Sequence, residues 1–266
     1  MPWRETDDPY RILISEIMLQ QTQVERVRTK YIEFLKKFPN TETLARASLG
    51  DVLRVWSGLG YNRRAKFLHE CAKIVAKDHG GKFPDTFTEL DALPGIGMST
   101  AGALLAFSFG ESTPMIDTNI RRILVRVFFT KKMSRQNFDK FPSDKVLYDF
   151  ASALIPAGKG RAWNYAMLDL GASLCSARSH SVDCPLLELH GKVDDFVYKK
   201  PQKKFAGSRR YYRGQVLKHL SHEVNTTSQA LSKRLKLNKG EIAAILDDLL
   251  KEKLVLRRGA KVSLPS

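Results

Sequence analysis

The sequence predicts a mainly α-helical protein with a second, smaller unit at its C-terminus, and three observations carry that expectation. Apolar residues recur at steps of three and four through most of the chain. Turn residues fall between the periodic stretches, at Pro39-Asn40, Ser57-Gly58-Leu59-Gly60, His79-Gly80-Gly81, Pro94-Gly95-Ile96-Gly97 and Pro156-Ala157-Gly158. No convincing strand pattern precedes residue 250.

In chain order, the spacing predicts helices over Tyr10–Phe38, Thr41–Trp56, Arg63–Lys77, Phe87–Leu93, Ser99–Phe109, Asn119–Phe129, Lys145–Leu154 and Trp163–Cys175. These form a helical body over residues 1–195. Residues 196–208 read as an exposed basic linker: the surrounding stretch "VYKKPQKKFAGSRRYYRG" has two Lys pairs, a Pro, an Arg pair and no acid. Beyond it, three short helices (Arg210–His222, Thr227–Leu235, Lys239–Lys251) precede a hairpin around Gly259 in "LVLRRGAKVSLP". Three helices and a two-stranded wing is the order of a winged helix, so 209–266 is expected to be winged-helix-like; a helical tail with a generic hairpin is the plain alternative.

With 266 residues and ample apolar content, the chain can bury one large core or two modest ones. Its formal charge is +16 and its pI about 9.8, so the expected partner is a polyanion. Charge is concentrated at the end, where residues 191–266 hold 18 Lys/Arg against 7 Asp/Glu. That tail is expected to contact phosphates without reading sequence. Three cysteines (Cys71, Cys175, Cys184) make no extracellular disulfide framework, and no apolar run approaches the roughly 18 residues of a membrane span. The expectation is a soluble intracellular protein, monomeric, with no membrane partner.

Three features carry chemistry. Gly95 and Gly97 make a tight turn after Leu93 whose backbone N–H groups, at the start of a helix, can hold a phosphate oxygen, with Ser99-Thr100 capping the helix beyond; an ordinary turn is the alternative. Asp117 precedes the Arg-rich helix "TNIRRILVRVF", as an active carboxylate or simply a helix cap. Glu16 is the unusual one. Its helical neighbours are Ile12, Leu13, Leu19 and Gln20, so its carboxyl is either paired with an Arg or raised in pKa by desolvation, and a raised carboxyl is a competent proton donor near neutrality.

Five stretches in order, "PWRETDDPYRILISEIMLQQTQVERV", "WSGLGYNRRAKFLH", "KFPDTFTELDALPGIGMSTAGALLAFSFG", "PMIDTNIRRIL" and "WNYAMLDLGASLC", resemble the MutY adenine DNA glycosylases of the helix-hairpin-helix superfamily, which includes endonuclease III. The likeness runs from Pro2 to about Leu189. It implies a helix-hairpin-helix glycosylase fold over 1–195 and a monofunctional DNA glycosylase of base excision repair. The implied substrate is double-stranded DNA with a mismatch or lesion, adenine opposite guanine or 8-oxoguanine first. Glu16 would protonate the departing base, Asp117 would stabilise the oxocarbenium-like sugar, and Asn119 would support Asp117. Trp3, Arg4, Ser99 and Tyr165 would line the base pocket. Gln21 and Tyr61 would wedge into the base stack, ordinary packing being the alternative for Tyr61, while Leu93, Gly95 and Gly97 would clamp a phosphate.

Departures from the family pattern qualify what is implied. The family's iron–sulfur loop needs four cysteines, whereas residues 175–190 offer Cys175, Cys184 and His190. A lost cluster and no cofactor is the expectation, with a non-cluster metal as the minor alternative. Tyr165 stands where relatives carry Gln or Glu, and the family's usual C-terminal domain is replaced by the winged-helix-like unit. Strand-nicking relatives place a Schiff-base Lys where this chain has Ser99, and residues 83–130 contain no Lys, so no lyase step is expected. Two rivals remain open: a thymine/uracil mismatch glycosylase, and a non-catalytic DNA-binding protein on the same scaffold.

Overall fold

A computed structural model describes residues 1–129, 142–176, 181–190, 204–223 and 225–266. After a 3-10 turn at Pro2–Arg4, the body comprises α1 (Pro9–Leu19), α2 (Val24–Lys37), α3 (Thr41–Arg46), α4 (Leu49–Trp56), α5 (Arg63–Asp78), α6 (Phe87–Asp91), α7 (Met98–Ser108), α8 (Thr118–Leu124), α9 (Asp144–Ser152), α10 (Gly160–Ser173) and α11 (Leu187–His190). A π-helical turn, Val125–Phe129, extends α8.

Most helix starts are specified by a cap. Asp8 accepts from Tyr10 N with Pro9 at the first helical position, Asn40 caps α3, and Ser48 caps α4. Two long helical expectations are each broken in two. The Tyr10–Phe38 stretch is interrupted at residues 20–23, where Gln21 adopts φ 55°, and the Thr41–Trp56 stretch breaks at Ala47, where Ser48 begins a new helix. Neither interruption holds a Gly or Pro to mark it, and apolar residues at helical spacing lie on both sides of each.

The core is one continuous cluster. Ile14, Met18, Phe34 and Trp56 are fully buried within it, and α7 contributes Ala101, Ala103 and Leu104. Gly102 is required here: a Cβ on it would collide with the carbonyl oxygen of Pro114, so α7 can lie against the segment that leads to Asp117. Buried Asn164 on α10 fixes the same segment, accepting from Met115 N and donating to the Thr113 and Gly160 carbonyls.

The C-terminal unit runs α12 (Arg209–His222), β1 (Thr226–Thr227), α13 (Ser228–Leu235), α14 (Lys239–Lys251), β2 (Leu256–Arg258) and β3 (Lys261–Ser263). Asn238 and Glu241 form a reciprocal capping box at α14. The antiparallel sheet has order β1-β3-β2, with the β2–β3 turn at Gly259 (φ 61°). Strand β1 lies before residue 250, contrary to the sequence expectation; two residues are too short to show an alternating pattern. Leu217, Leu246 and Leu264 join the same buried cluster as the body. Helix α12 packs on α4, and the Gly50 N–H donates to the Pro265 carbonyl across the junction at 2.8 Å. The linker residues 196–203 lie outside the described set.

Candidate active site

Glu16 lies on α1, whose neighbouring residues Leu13, Ser15 and Ile17 are buried. Its side chain keeps part of its surface open while the carboxyl itself sits deep. Burial pushes its pKa up to about 8, and the charge of Asp117 adds to the rise. No Arg pairs with it among the described residues, so of the two sequence alternatives the desolvated carboxyl is the one that forms.

Asp117 is the N-cap of α8. Its Oδ1 accepts from Asn119 N at 2.8 Å and Ile120 N at 2.7 Å, so the cap alternative is real and coexists with proximity to Glu16. Burial raises its pKa, but the two backbone bonds, the Arg122 charge and the Asn119 side chain oppose that rise. The result is two neighbouring carboxyls in different surroundings: Glu16 raised by burial with no hydrogen-bond donor among the described residues opposing the rise, and Asp117 raised by burial but opposed by the N–H groups of a helix start.

Asn119 is held rather than free to swing. Its Oδ1 accepts from Arg122 Nη2 at 2.8 Å, and Arg122 also donates to the Gly171 and Cys175 carbonyls. Gly171 makes the fit possible, since a Cβ there would lie 2.6 Å from Asn119 Cβ.

Tyr165 is sandwiched. Its ring stacks on Phe107 with centroids 4.4 Å apart, and the Arg4 guanidinium lies 4.5 Å from its centroid on a bidentate Asp169 carboxylate (2.6 and 2.8 Å). Burial raises the Tyr165 phenol's pKa, and the Glu16 charge adds to it, so Tyr165 and Glu16 share one electrostatic environment. Trp3 is buried edge-on against Tyr31, with ring centroids 5.4 Å apart.

The turn between α6 and α7 holds the glycine pair. Gly95 has φ 80°, a left-handed conformation that favours glycine, and a Cβ on it would lie 2.9 Å from Phe67 Cβ. Gly97 is the N-cap of α7, with no side-chain cap and open space where a Cβ would be. Helix α7 therefore begins at Met98, and Ser99 and Thr100 lie inside its first turn instead of capping it. Leu93 is buried, anchoring the turn, while Gly95 and Gly97 are exposed. A recess of about 260 Å³ opens at this helix start, lined by Gln20, Gly97, Ser99 and Ile116 among others. Neither carboxylate lines it; both lie one residue or one helical turn away from residues that do.

Gln21 (φ 55°) and Tyr61 (φ 46°) both occupy left-handed backbone, and both are exposed, Tyr61 at 42%. Arg64 links their turns. Its Nη1 donates to the Ile17, Met18 and Gln20 carbonyls, and its Nη2 to Thr22 Oγ1 and the Leu59 and Gly60 carbonyls. Burial lowers the Arg64 pKa to about 10, and its guanidinium also lies over the Trp56 and Tyr61 rings. Sequence reasoning misses Arg64 because its partners lie up to 47 residues away and no local pattern marks them.

The 175–190 loop does not suit a four-thiolate cluster. It supplies Cys175 and Cys184 as its only thiols, and the Arg126 guanidinium bonds Cys175 Sγ at 3.0 Å and the Ser176 carbonyl at 3.0 Å. Among the described residues no group of three or more His, Cys, Asp or Glu could hold a metal ion. The His190 side chain and residues 177–180 lie outside the described set. Among the described residues no helix is long and apolar enough to cross a membrane.

The chain is similar in sequence and in fold to known proteins. The HhH-GPD superfamily of base excision DNA repair proteins matches residues 14–141. An adenine DNA glycosylase of Mycolicibacterium smegmatis is 35% identical over 236 residues, covering 86% of this chain and 78% of the relative. Adenine DNA glycosylases of Buchnera aphidicola (36% over 218 residues) and Homo sapiens (35% over 199) share 80% and 71% of this chain; the chain spans 60% and 36% of their lengths. Among solved structures, a thermostable thymine-DNA glycosylase superposes with TM-score 0.64 at 30% identity, covering 74% of this chain and 88% of that one. An endonuclease III–DNA complex superposes at TM-score 0.60 and 22% identity, covering 68% and 82%, a likeness of fold. The chain belongs to the helix-hairpin-helix GPD superfamily of base excision DNA repair proteins. Within it, the curated relatives named here are adenine DNA glycosylases of the MutY type.

Proposed function

We propose that the protein hydrolyses the N-glycosidic bond of adenine mispaired with guanine or 8-oxoguanine in duplex DNA, leaving an abasic site. The observation that carries the reading is the carboxyl pair: Glu16, its pKa pushed up to about 8 by burial, beside Asp117, whose Oδ1 accepts two backbone N–H bonds at the start of α8. The Glu16 proton passes to a ring nitrogen of the extruded base, the base leaves with the bonding electrons, and water adds to the sugar carbon. The Glu16 carboxylate then takes the proton that the water gives up. Asp117 faces the positive charge that develops on the sugar; at about 4 Å and an effective dielectric of 20 such a charge pair is worth about 4 kcal/mol, or roughly a thousandfold in rate. The exposed glycine turn at the start of α7 suits a backbone phosphate, and Gln21 and Tyr61 suit a wedge into the stack.

Adenine leads because the curated relatives at 34–40% identity are named for it. Thymine is the second reading, favoured by the thymine-DNA glycosylase superposition and by Tyr165 in place of Gln or Glu. A gel assay on duplexes carrying A, T, U or hypoxanthine opposite G and 8-oxoguanine separates them. Adenine release, with strands intact until alkali is added and no borohydride-trapped adduct, is expected; release of thymine alone overturns the adenine reading.

A further inference from the structure

A cleft of about 1400 Å³ lies between the helical body and the C-terminal unit. One wall is the pair of left-handed turns bearing Gln21 and Tyr61; the other is α12, with Arg209, Arg210 and Lys218. Arg210 Nη1 reaches the Tyr61 hydroxyl at 3.3 Å, so α12 and the Tyr61 turn meet directly. Eight Lys/Arg line the cleft against two acids, Asp248 and Glu252. Both acids are engaged within the C-terminal unit, Asp248 with Arg209 at 2.7 Å and Glu252 with Arg213 at 2.5 Å, and the lining stays strongly positive.

Gly214 adds an independent observation. It lies in the interior of the 14-residue helix α12, a position where glycine is among the least favourable residues, and it lines the cleft. A Cβ there would meet nothing within 4 Å, so no packing within the protein asks for glycine. An absent side chain facing open, basic space suits close approach of something outside the chain.

Gln20 lines both this cleft and the recess beside Ser99 and Ile116, so the two cavities meet at the α1–α2 turn. We infer that the cleft holds the sugar–phosphate backbone of the DNA strand opposite the one that loses its base, with α12 as its docking face. The inference rests on the proposed DNA-repair reading. The cleft runs from Gly95 of the glycine turn past Gln21 and Tyr61 to α12, so a duplex whose one strand is gripped at that turn, with a base moved towards Glu16, can lay its second strand against the α12 side. There the exposed Arg26, Arg63, Lys204 and Lys218 offer phosphate contacts.

The test uses the full chain and a 25-base-pair duplex carrying a tetrahydrofuran abasic analogue opposite guanine, with hydroxyl-radical footprints read on each strand separately. Gly214→Leu fills the cleft while improving helix propensity, so its melting temperature should hold or rise. It should bind about tenfold more weakly and lose protection on the strand opposite the analogue, while the analogue strand stays protected. Lys218→Glu, at an exposed position, should act in the same direction. Unchanged opposite-strand protection in both variants overturns the inference, and so does uniform weakening on both strands. Because the analogue needs no base release, wild-type protein that fails to excise adenine yet shows the strand-specific footprints would sink the adenine reading and leave the cleft standing.

Discussion

The Glu16 carboxyl keeps its proton at neutral pH because it is buried and because the neighbouring Asp117 carboxylate adds to the cost of a second negative charge. Burial raises the Asp117 pKa as well, but the Asn119 and Ile120 N–H groups, which converge on one of its oxygens at the start of α8, oppose that rise. The division of labour is set by environment, since the two side chains carry the same functional group.

A pH profile of single-turnover base release follows from that division. Glu16 must be protonated and its pKa is about 8, so the rate should fall about tenfold per unit above that value. On the acid side it should fall where Asp117 takes a proton, above the ordinary aspartate value because burial raises that pKa. Glu16→Gln should lose on the order of a hundredfold or more and flatten the alkaline limb; Asp117→Asn should lose roughly a thousandfold and flatten the acid one. Duplex binding should stay within a few-fold in both. Retention of the alkaline limb in Glu16→Gln would assign it to another group.

The same shift makes Glu16 a destabilising residue. An unfolded chain ionises this carboxyl near its ordinary value of 4.5, whereas the folded one holds its proton to about 8. Stability contributed by the protonated group is complete below 4.5 and is lost as pH rises through 8. At pH 7 the difference amounts to about 3 kcal/mol as an upper bound. Glu16→Gln should therefore melt several degrees higher than wild type at pH 7, and the gain should vanish near pH 4. Equal melting temperatures at pH 7 would show that the carboxyl is better solvated than its surroundings indicate.

Arg64 should matter beyond stability. Arg64→Gln leaves the Ile17, Met18, Leu59 and Gly60 carbonyls without their guanidinium donor, a loss of about 2–4 kcal/mol. It also releases the two left-handed turns, whose backbone is costly without support. Base release per bound complex should drop, measured at saturating enzyme and at a temperature where the variant remains folded. A variant that melts lower yet releases base at the wild-type rate would reduce Arg64 to a structural role.

What can be read from the sequence is what is local or periodic. Helices show wherever an apolar face repeats, and Glu16 stands out because its own helical neighbours are apolar. The break at residues 20–23 is marked by no Gly or Pro, and the left-handed Gln21 turn is held by Arg64, more than 40 residues away. Gly97 as the α7 cap is equally silent, a glycine having no side chain to announce a cap. Asn164, which fixes the segment before Asp117, acts through three backbone bonds that only the fold brings together.

The junction at Gly50 gives the last prediction. Its N–H donates to the Pro265 carbonyl, and a Cβ on Gly50 would collide with that oxygen and come within 3.2 Å of Leu264 Cβ. The chain's last strand and α12 both rest near this point, since α12 packs on α4. Gly50→Ala must therefore shift the C-terminal segment away from α4, at a cost of about 1–3 kcal/mol. Because the collision is confined to one face of α4, the carboxylate pair should be untouched. Residues 204–266 should become more protease-sensitive, and DNA affinity should fall as α12 loses its place beside Tyr61. Each phosphate that is no longer neutralised flattens the log–log salt dependence by about 0.9, so the slope should drop by roughly one to three units while the rate of base release at saturating protein stays near wild type. An unchanged slope with a loosened C-terminal unit would mean that α12 does not touch the phosphates.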